Sequence, residues 1–331
     1  MPPWPRRNRQ ADRQPVTPFI ARQERFAQVA STQDVVRAWL AAGTPEVCLA
    51  VADEQTAGRG RSGRTWVAPP GRALLLSLGF RPTWLGPEHA WRLAATVSLA
   101  MADAAEDAAG LRDRAIRLKW PNDLVVEDDA PEEAGTGFGG GALRKLGGVL
   151  GETDGLGMAE PQVVVGIGVN ADWAADDFPV ALAATMTSLR EASGGRPISL
   201  AILLDGFLSR LEARVEALRA GRFDVGDWVS RQLTTGRLVR LEGHGPAIEE
   251  RRAVGVDPAS GALLVADDAA PGGERAVHAG EVTRIRLAGP AGPAGAARPT
   301  DEVRPADAAR PPDVARPAAA GTTRSTSAAG A

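Results

Sequence analysis

The sequence predicts an α/β fold followed by a small all-β unit. Three observations carry this. Strand-length apolar runs alternate with amphipathic helical segments between about residues 25 and 230. Beyond about 230, short β-segments recur at near-regular spacing. Both ends are too poor in apolar residues, and too rich in Pro, Gly, Ala and Arg, to build a core.

Residues 1–24 are expected to be disordered. Residues 26–42 have helical apolar spacing and stop at Gly43. Residues 47–52 and 74–80 read as buried strands, the second closed by Arg81-Pro82. Residues 88–109 form an Ala-rich helix that stops at Gly110. Short strands at 116–120 and 124–126 flank a Pro121-Asn122 turn. Strands at 146–152 and 163–169 follow, then an amphipathic helix at 198–218 that ends before Gly221. The β-segments at 237–242, 248–256, 263–267 and 281–287, separated by Gly and Asp-Pro, read as a small β-barrel. The acidic, then Gly-rich stretch 127–142 reads as a loop insertion. The expected organisation is a catalytic domain at 25–232, a β-domain at 233–287 and a disordered tail at 288–331.

Composition narrows the chemistry. A net charge of -3 argues against nucleic-acid binding by the whole chain. Cys48, the one cysteine, excludes an internal disulfide and a cysteine-based zinc cluster. His89, His244 and His278 have neither metal-pair spacing nor the order of a Ser-His-Asp triad. No secretory or membrane-spanning segment is visible, so a cytoplasmic protein is expected, with no membrane partner.

Four motifs remain. Residues 55–66, QTAGRGRSGRTW, contain Gly58, Gly60 and Gly63 in a G-x-G-x-x-G pattern. The residues that follow, RTWVAPPGR, cannot open the helix that a dinucleotide fingerprint requires. Instead Arg59, Arg61 and Arg64 alternate with the glycines, which suits a loop that closes over an anion. A solvated loop or an RNA-binding Gly/Arg module is the alternative. In KWPND, Lys119 can meet a phosphate and Asn122 a base edge, while Asp123 can steer a lysine or help hold Mg²⁺. In KLGGVLGE, Lys145 opens a strand where Gly147 and Gly148 leave room for a ligand. In VVVGIGVN, two in-strand glycines precede the amide of Asn170.

In this order the motifs, together with AST-Q at 30–33, resemble the biotin–protein ligase family over about residues 26–287. The resemblance implies a mixed-sheet catalytic domain of the biotin/lipoate ligase type, related to class II tRNA synthetases, and an SH3-like barrel. It implies that biotin is activated as an adenylate with ATP and Mg²⁺, then passed to a lysine of a biotin carboxyl carrier protein. Ser31, Thr32, Gln33, Gln55, Gly58, Arg59, Gly60, Arg61, Lys145 and Gly148 would bind biotin. Arg61, Arg64, Trp66, Lys119, Asn122, Asp123, Asn170 and Trp228 would bind ATP. Lys145, Arg61, Arg59 and Lys119 would form the cationic catalytic cluster, with Asp123 near the metal. Gln33 and Ala30 depart from the family's usual Asn and Asp, and the loop before Lys145 is longer than usual. Because about 25 residues precede the catalytic part, no DNA-binding domain, and so no DNA partner, is expected; a homodimer is allowed. Lipoate or octanoate ligation is the neighbouring alternative.

Overall fold

A computed structural model describes residues 19–127, 143–243 and 248–287. The first strand is β1 (Arg22–Phe26), followed by helix α1 (Thr32–Ala41) and strands β2 (Cys48–Ala52) and β3 (Ala73–Phe80). Helix α2 (Trp91–Ala109) leads to β4 (Ile116–Lys119), β5 (Asp123–Glu127), β6 (Leu143–Asp154) and β7 (Gln162–Asn170). Two short helices, α3 (Val180–Ala183) and α4 (Leu189–Ala192), precede α5 (Leu200–Arg219) and α6 (Val225–Ser230). Strands β8 (Leu238–Gly243), β9 (Ile248–Val256), β10 (Leu263–Ala266), β11 (Glu274–Val277) and β12 (Val282–Leu287) complete the described chain.

The first seven strands form one mixed sheet in the order β1-β2-β3-β7-β6-β5-β4. Only β1 and β2 pair in parallel there. Alternation along β2 sends its side chains to two layers. Leu49 and Val51 join the main core with α2 and α5, while Cys48 and Ala50 pack with Val36, Trp39 and Leu40 of α1. Burial raises the Cys48 thiol to about 11, so it behaves as a small apolar side chain rather than a nucleophile. The last five strands form an antiparallel sheet in the order β11-β10-β9-β8-β12. Its loops reach the first sheet: Trp120 Nε1 donates to Gly261 O at 3.0 Å, and Trp120 N to Thr234 Oγ1 at 3.0 Å.

Three expectations are corrected. The helix expected at 26–42 begins only at Thr32, and residues 22–26 are a strand. Disorder does not extend through 19–24: Ile20 is 1% exposed in the main core, and β1 lies against β2. The β-unit has a further strand, β11, absent from the sequence reading. Residues 1–18, 128–142 and 288–331, on which the disordered ends and the loop insertion fall, lie outside the described residues. Among the described residues no helix is long and apolar enough to cross a membrane.

Candidate active site

One carboxylate organises the site. Asp123 opens β5 and receives Lys145 Nζ on Oδ1 at 2.6 Å and Lys119 Nζ on Oδ2 at 3.4 Å. Burial pushes the Asp123 carboxyl up, but the ammonium groups of Lys145 and Lys119 outweigh burial and hold it below the usual carboxylate range. Burial also lowers the Lys119 pKa, and Asp123 only partly restores it. Lys119 is further fixed by Ile285 O of β12 at 3.1 Å.

Lys145 reaches Asp123 because β6 is irregular there. The β5–β6 register passes from Leu124↔Gly147 to Val125↔Lys145, leaving Leu146 as an extra residue. Such a bulge re-aims the side chains around it. Lys145 then folds back over Gly148, where a Cβ would stand 3.3 Å from its Nζ. The Lys145 ammonium also lies 5.6 Å from the centroid of Trp66. Trp66 in turn rests on Gly168, where a Cβ would come within 2.7 Å of the indole.

On one side of this centre lies a polar wall at the start of α1. Ser31, Thr32 and Gln33 are all buried. Gln55 Oε1 accepts from Thr32 N at 2.8 Å and from Thr32 Oγ1 at 3.1 Å, and Gln33 Nε2 donates to Leu150 O at 3.1 Å. Among the described residues, Ser31 Oγ and Trp66 Nε1 are buried without a hydrogen-bond partner. Buried polar atoms left in that state suit a ligand with its own donors and acceptors.

On the other side is a cavity of about 410 Å³, lined by Arg61, Trp91, Lys119, Trp120, Asn122, Asp123 and Trp228 among others. Trp91 and Trp228 stand 4.8 Å apart, centroid to centroid. Asn122 Nδ2 donates to Val149 O at 3.0 Å. Cations beside flat aromatic walls suit a nucleotide, whose base can stack and whose phosphates can pair.

The Gly/Arg loop lies between these regions. It folds back on itself, with Trp66 N donating to Gly58 O at 2.9 Å and Gly60 N to Arg64 O at 2.6 Å. It contains only a single 3-10 turn, Arg61–Gly63, so it opens no phosphate-binding helix. Arg61 donates to Ala279 O, in the turn before β12.

The model of the biotin/lipoate A/B protein ligase family matches residues 26–170. The bifunctional ligase/repressor BirA of Bacillus spizizenii is 32% identical over 166 residues, covering 50% of this chain and 45% of that protein. The chain therefore spans less than half the length of that relative. The biotin–[acetyl-CoA-carboxylase] ligase of Mycobacterium tuberculosis is 32% identical over 219 residues, covering 65% of this chain and 73% of that protein. The chain belongs to the biotin protein ligase family. The solved biotin protein ligase of Aquifex aeolicus, in complex with biotin and ATP, aligns with a TM-score of 0.63 and 25% identity, over 80% of this chain and 99% of that one.

The structure places the other expected residues of a biotin protein ligase site as follows. Arg59 pairs with Asp34 at 2.7 Å and Glu152 at 3.4 Å, apart from the Lys119–Asp123–Lys145 group. Trp66 stands beside Lys145, and Arg64 lies near enough to Lys119 for its charge to lower the Lys119 pKa. Asn170 is completely buried at the end of β7; its Nδ2 donates to Thr187 O at 3.0 Å, and its Oδ1 has no hydrogen-bond partner among the described residues. Asp123 is committed to two ammonium groups, and no cluster of three metal-ligating side chains exists among the described residues. Trp91 and Trp120 also line the cavity; the sequence places Trp91 within the helix expected at 88–109 and Trp120 at the end of the strand expected at 116–120, without marking either as a site residue. Another signal was available. Lys119 and Lys145 are the only 2 lysines of the chain, against 36 arginines, and both pair with Asp123. Where a compact, titratable ammonium is needed, Arg is no substitute.

Proposed function

We propose that this chain is an ATP-dependent biotin–protein ligase. It joins the biotin carboxylate to the α-phosphate of ATP, releases pyrophosphate, and passes the biotinyl group to a lysine of a biotin carboxyl carrier domain. The observation that carries this reading is the Lys119–Asp123–Lys145 group, which stands between the polar Ser31–Gln55 wall and the aromatic cavity. The Aquifex aeolicus neighbour holds biotin and ATP, and the Mycobacterium tuberculosis relative is named for acetyl-CoA carboxylase, which support the two substrates and the carrier.

Two anions must meet for the first step, so the site has to offset their repulsion. Lys145 is placed for the carboxylate, and Lys119 and Arg61 for the nucleotide phosphates. Their fixed charges stabilise the negative charge that builds at phosphorus. Asp123 keeps both lysines in one arrangement without solvent having to reorganise. Mg²⁺ bound with ATP would supply further charge neutralisation at the phosphates. In the second step the carrier amine attacks the mixed anhydride and AMP departs; no side chain of this chain need become a nucleophile. Positioning then accounts for the rate.

The test is ATP–pyrophosphate exchange driven separately by biotin, lipoate and octanoate, followed by streptavidin detection of a carrier domain. Biotin alone should drive exchange and label the carrier. Preference for lipoate or octanoate would move the chain to the neighbouring activity.

A further inference from the structure

We infer that Asn170 is a positioning residue that holds Lys145 through Thr187. The inference rests on the reading of Lys145 as the group at the biotin carboxylate. The pairing of β6 with β7 ends at Gly147↔Val169, so β7 offers no backbone partner to Lys145. The vacant flank is taken by residues 185–187. Lys145 N donates to Thr185 O at 2.8 Å, and Thr187 N donates to Lys145 O at 2.9 Å. On its other flank Lys145 pairs with Val125, next to the bulge at Leu146. Lys145 is therefore clamped between a strand and a short segment that has no sheet of its own.

Asn170 fixes that segment to the sheet. It stands at the end of β7, is 0% exposed, and donates Nδ2 to Thr187 O at 3.0 Å. Thr187 thus accepts from Asn170 while donating to Lys145. Among the described residues Asn170 Oδ1 is buried without a partner, and Nδ2 makes the one hydrogen bond that ties this amide to its surroundings. A displacement of residues 185–187 would carry the Lys145 backbone with it and loosen a 2.6 Å ion pair. Near-attack geometry tolerates such displacements poorly.

The test uses Asn170→Asp, which removes the donor, and Asn170→Ala, which introduces no buried charge. The full chain is treated with a trace of acetic anhydride, and labelling of Lys145 is read against Lys119 by peptide mass spectrometry. Each lysine is the other's internal standard, because the chain has 2. We expect the Lys145:Lys119 ratio to at least double, kcat for adenylate formation to fall about 10-fold or more, and KM for ATP to stay within about threefold. An unchanged ratio overturns the proposal, and an unchanged ratio with a raised KM for ATP makes Asn170 a nucleotide contact. If Asn170→Asp does not fold, Asn170→Ala decides by the same readouts. If the parent shows no biotin-dependent exchange, the functional reading fails, while the labelling ratio still decides whether Asn170 positions Lys145.

Discussion

Lys145 Nζ and Asp123 Oδ1 stand 2.6 Å apart across the β5–β6 bulge, and the same carboxylate receives Lys119. Replacing Asp123 by Asn would leave two ammonium groups facing each other without a counter-charge. We predict that Asp123→Asn lowers adenylate formation by about 100-fold, the magnitude typical of losing one preorganised electrostatic partner. Single-turnover formation of labelled adenylate measures it. Near-parental rates would show that the lysines do not depend on Asp123.

The same group sets a pH profile. Asp123 has a folded pKa below its unfolded one, so its contribution is present above the ordinary carboxylate range and is lost only as pH falls through the depressed value. Lys119 has a folded pKa lowered by burial, so it loses its proton sooner than an exposed lysine as pH rises. Activity should therefore persist into mildly acid solution and decline on the alkaline side below the usual lysine pKa. The profile of kcat/KM for exchange checks this. Lys119→Arg should move the alkaline limb upward even if the rate falls.

Much of this fold was legible because buried strands and amphipathic helices carry their periodicity locally, as in the apolar run from Val47 to Ala52. Strand β1 was not, because its residues, RQERF, are mostly polar and the strand lies at the sheet edge. Phe26, Val29 and Ala30 then mimic the spacing of a helix that starts only at Thr32. For the site, motifs brought Lys119, Asp123 and Lys145 together. The neutralisation of Arg59 by Asp34 and Glu152 depends on contacts 25 and 93 residues apart in the chain, which no local pattern encodes.

Arg61→Gly should make a leaky enzyme. Arg61 joins the Gly/Arg loop to Ala279 beside the aromatic cavity, and a charge-assisted hydrogen bond of this kind contributes about 1.5–3 kcal/mol. Its loss should speed escape of the adenylate by roughly 10- to 100-fold. An unrelated lysine-rich protein added to the reaction should then be biotinylated. The enzyme itself should be labelled little, since its 2 lysines both pair with Asp123. Labelling of the bystander no stronger than with the parent, at equal adenylate formation, would remove Arg61 from this role.

Arg231 ties α6 to the rest of the core. Its guanidinium, 2% exposed, pairs with Glu106 at 2.9 Å and Asp103 at 2.6 Å, and donates to Ile116 O at 2.9 Å. Arg231→Ala leaves the 5% exposed Glu106 without its counter-charge, a loss of about 3–5 kcal/mol. The melting temperature should fall by roughly 10 °C. Adding Glu106→Gln should recover part of it, and thermal melts of the single and double variants check the coupling. A single variant that melts with the parent would contradict it.

The most direct measurement is biotin-dependent ATP–pyrophosphate exchange in the parent and in Lys145→Ala. The parent should exchange only when biotin is present. Lys145→Ala should lose about 100-fold or more of that rate while still unfolding in one cooperative transition, because in the proposed reading the Lys145 ammonium offsets the repulsion between the two anions. A parent that does not exchange, or a Lys145→Ala variant that exchanges normally, would contradict the account.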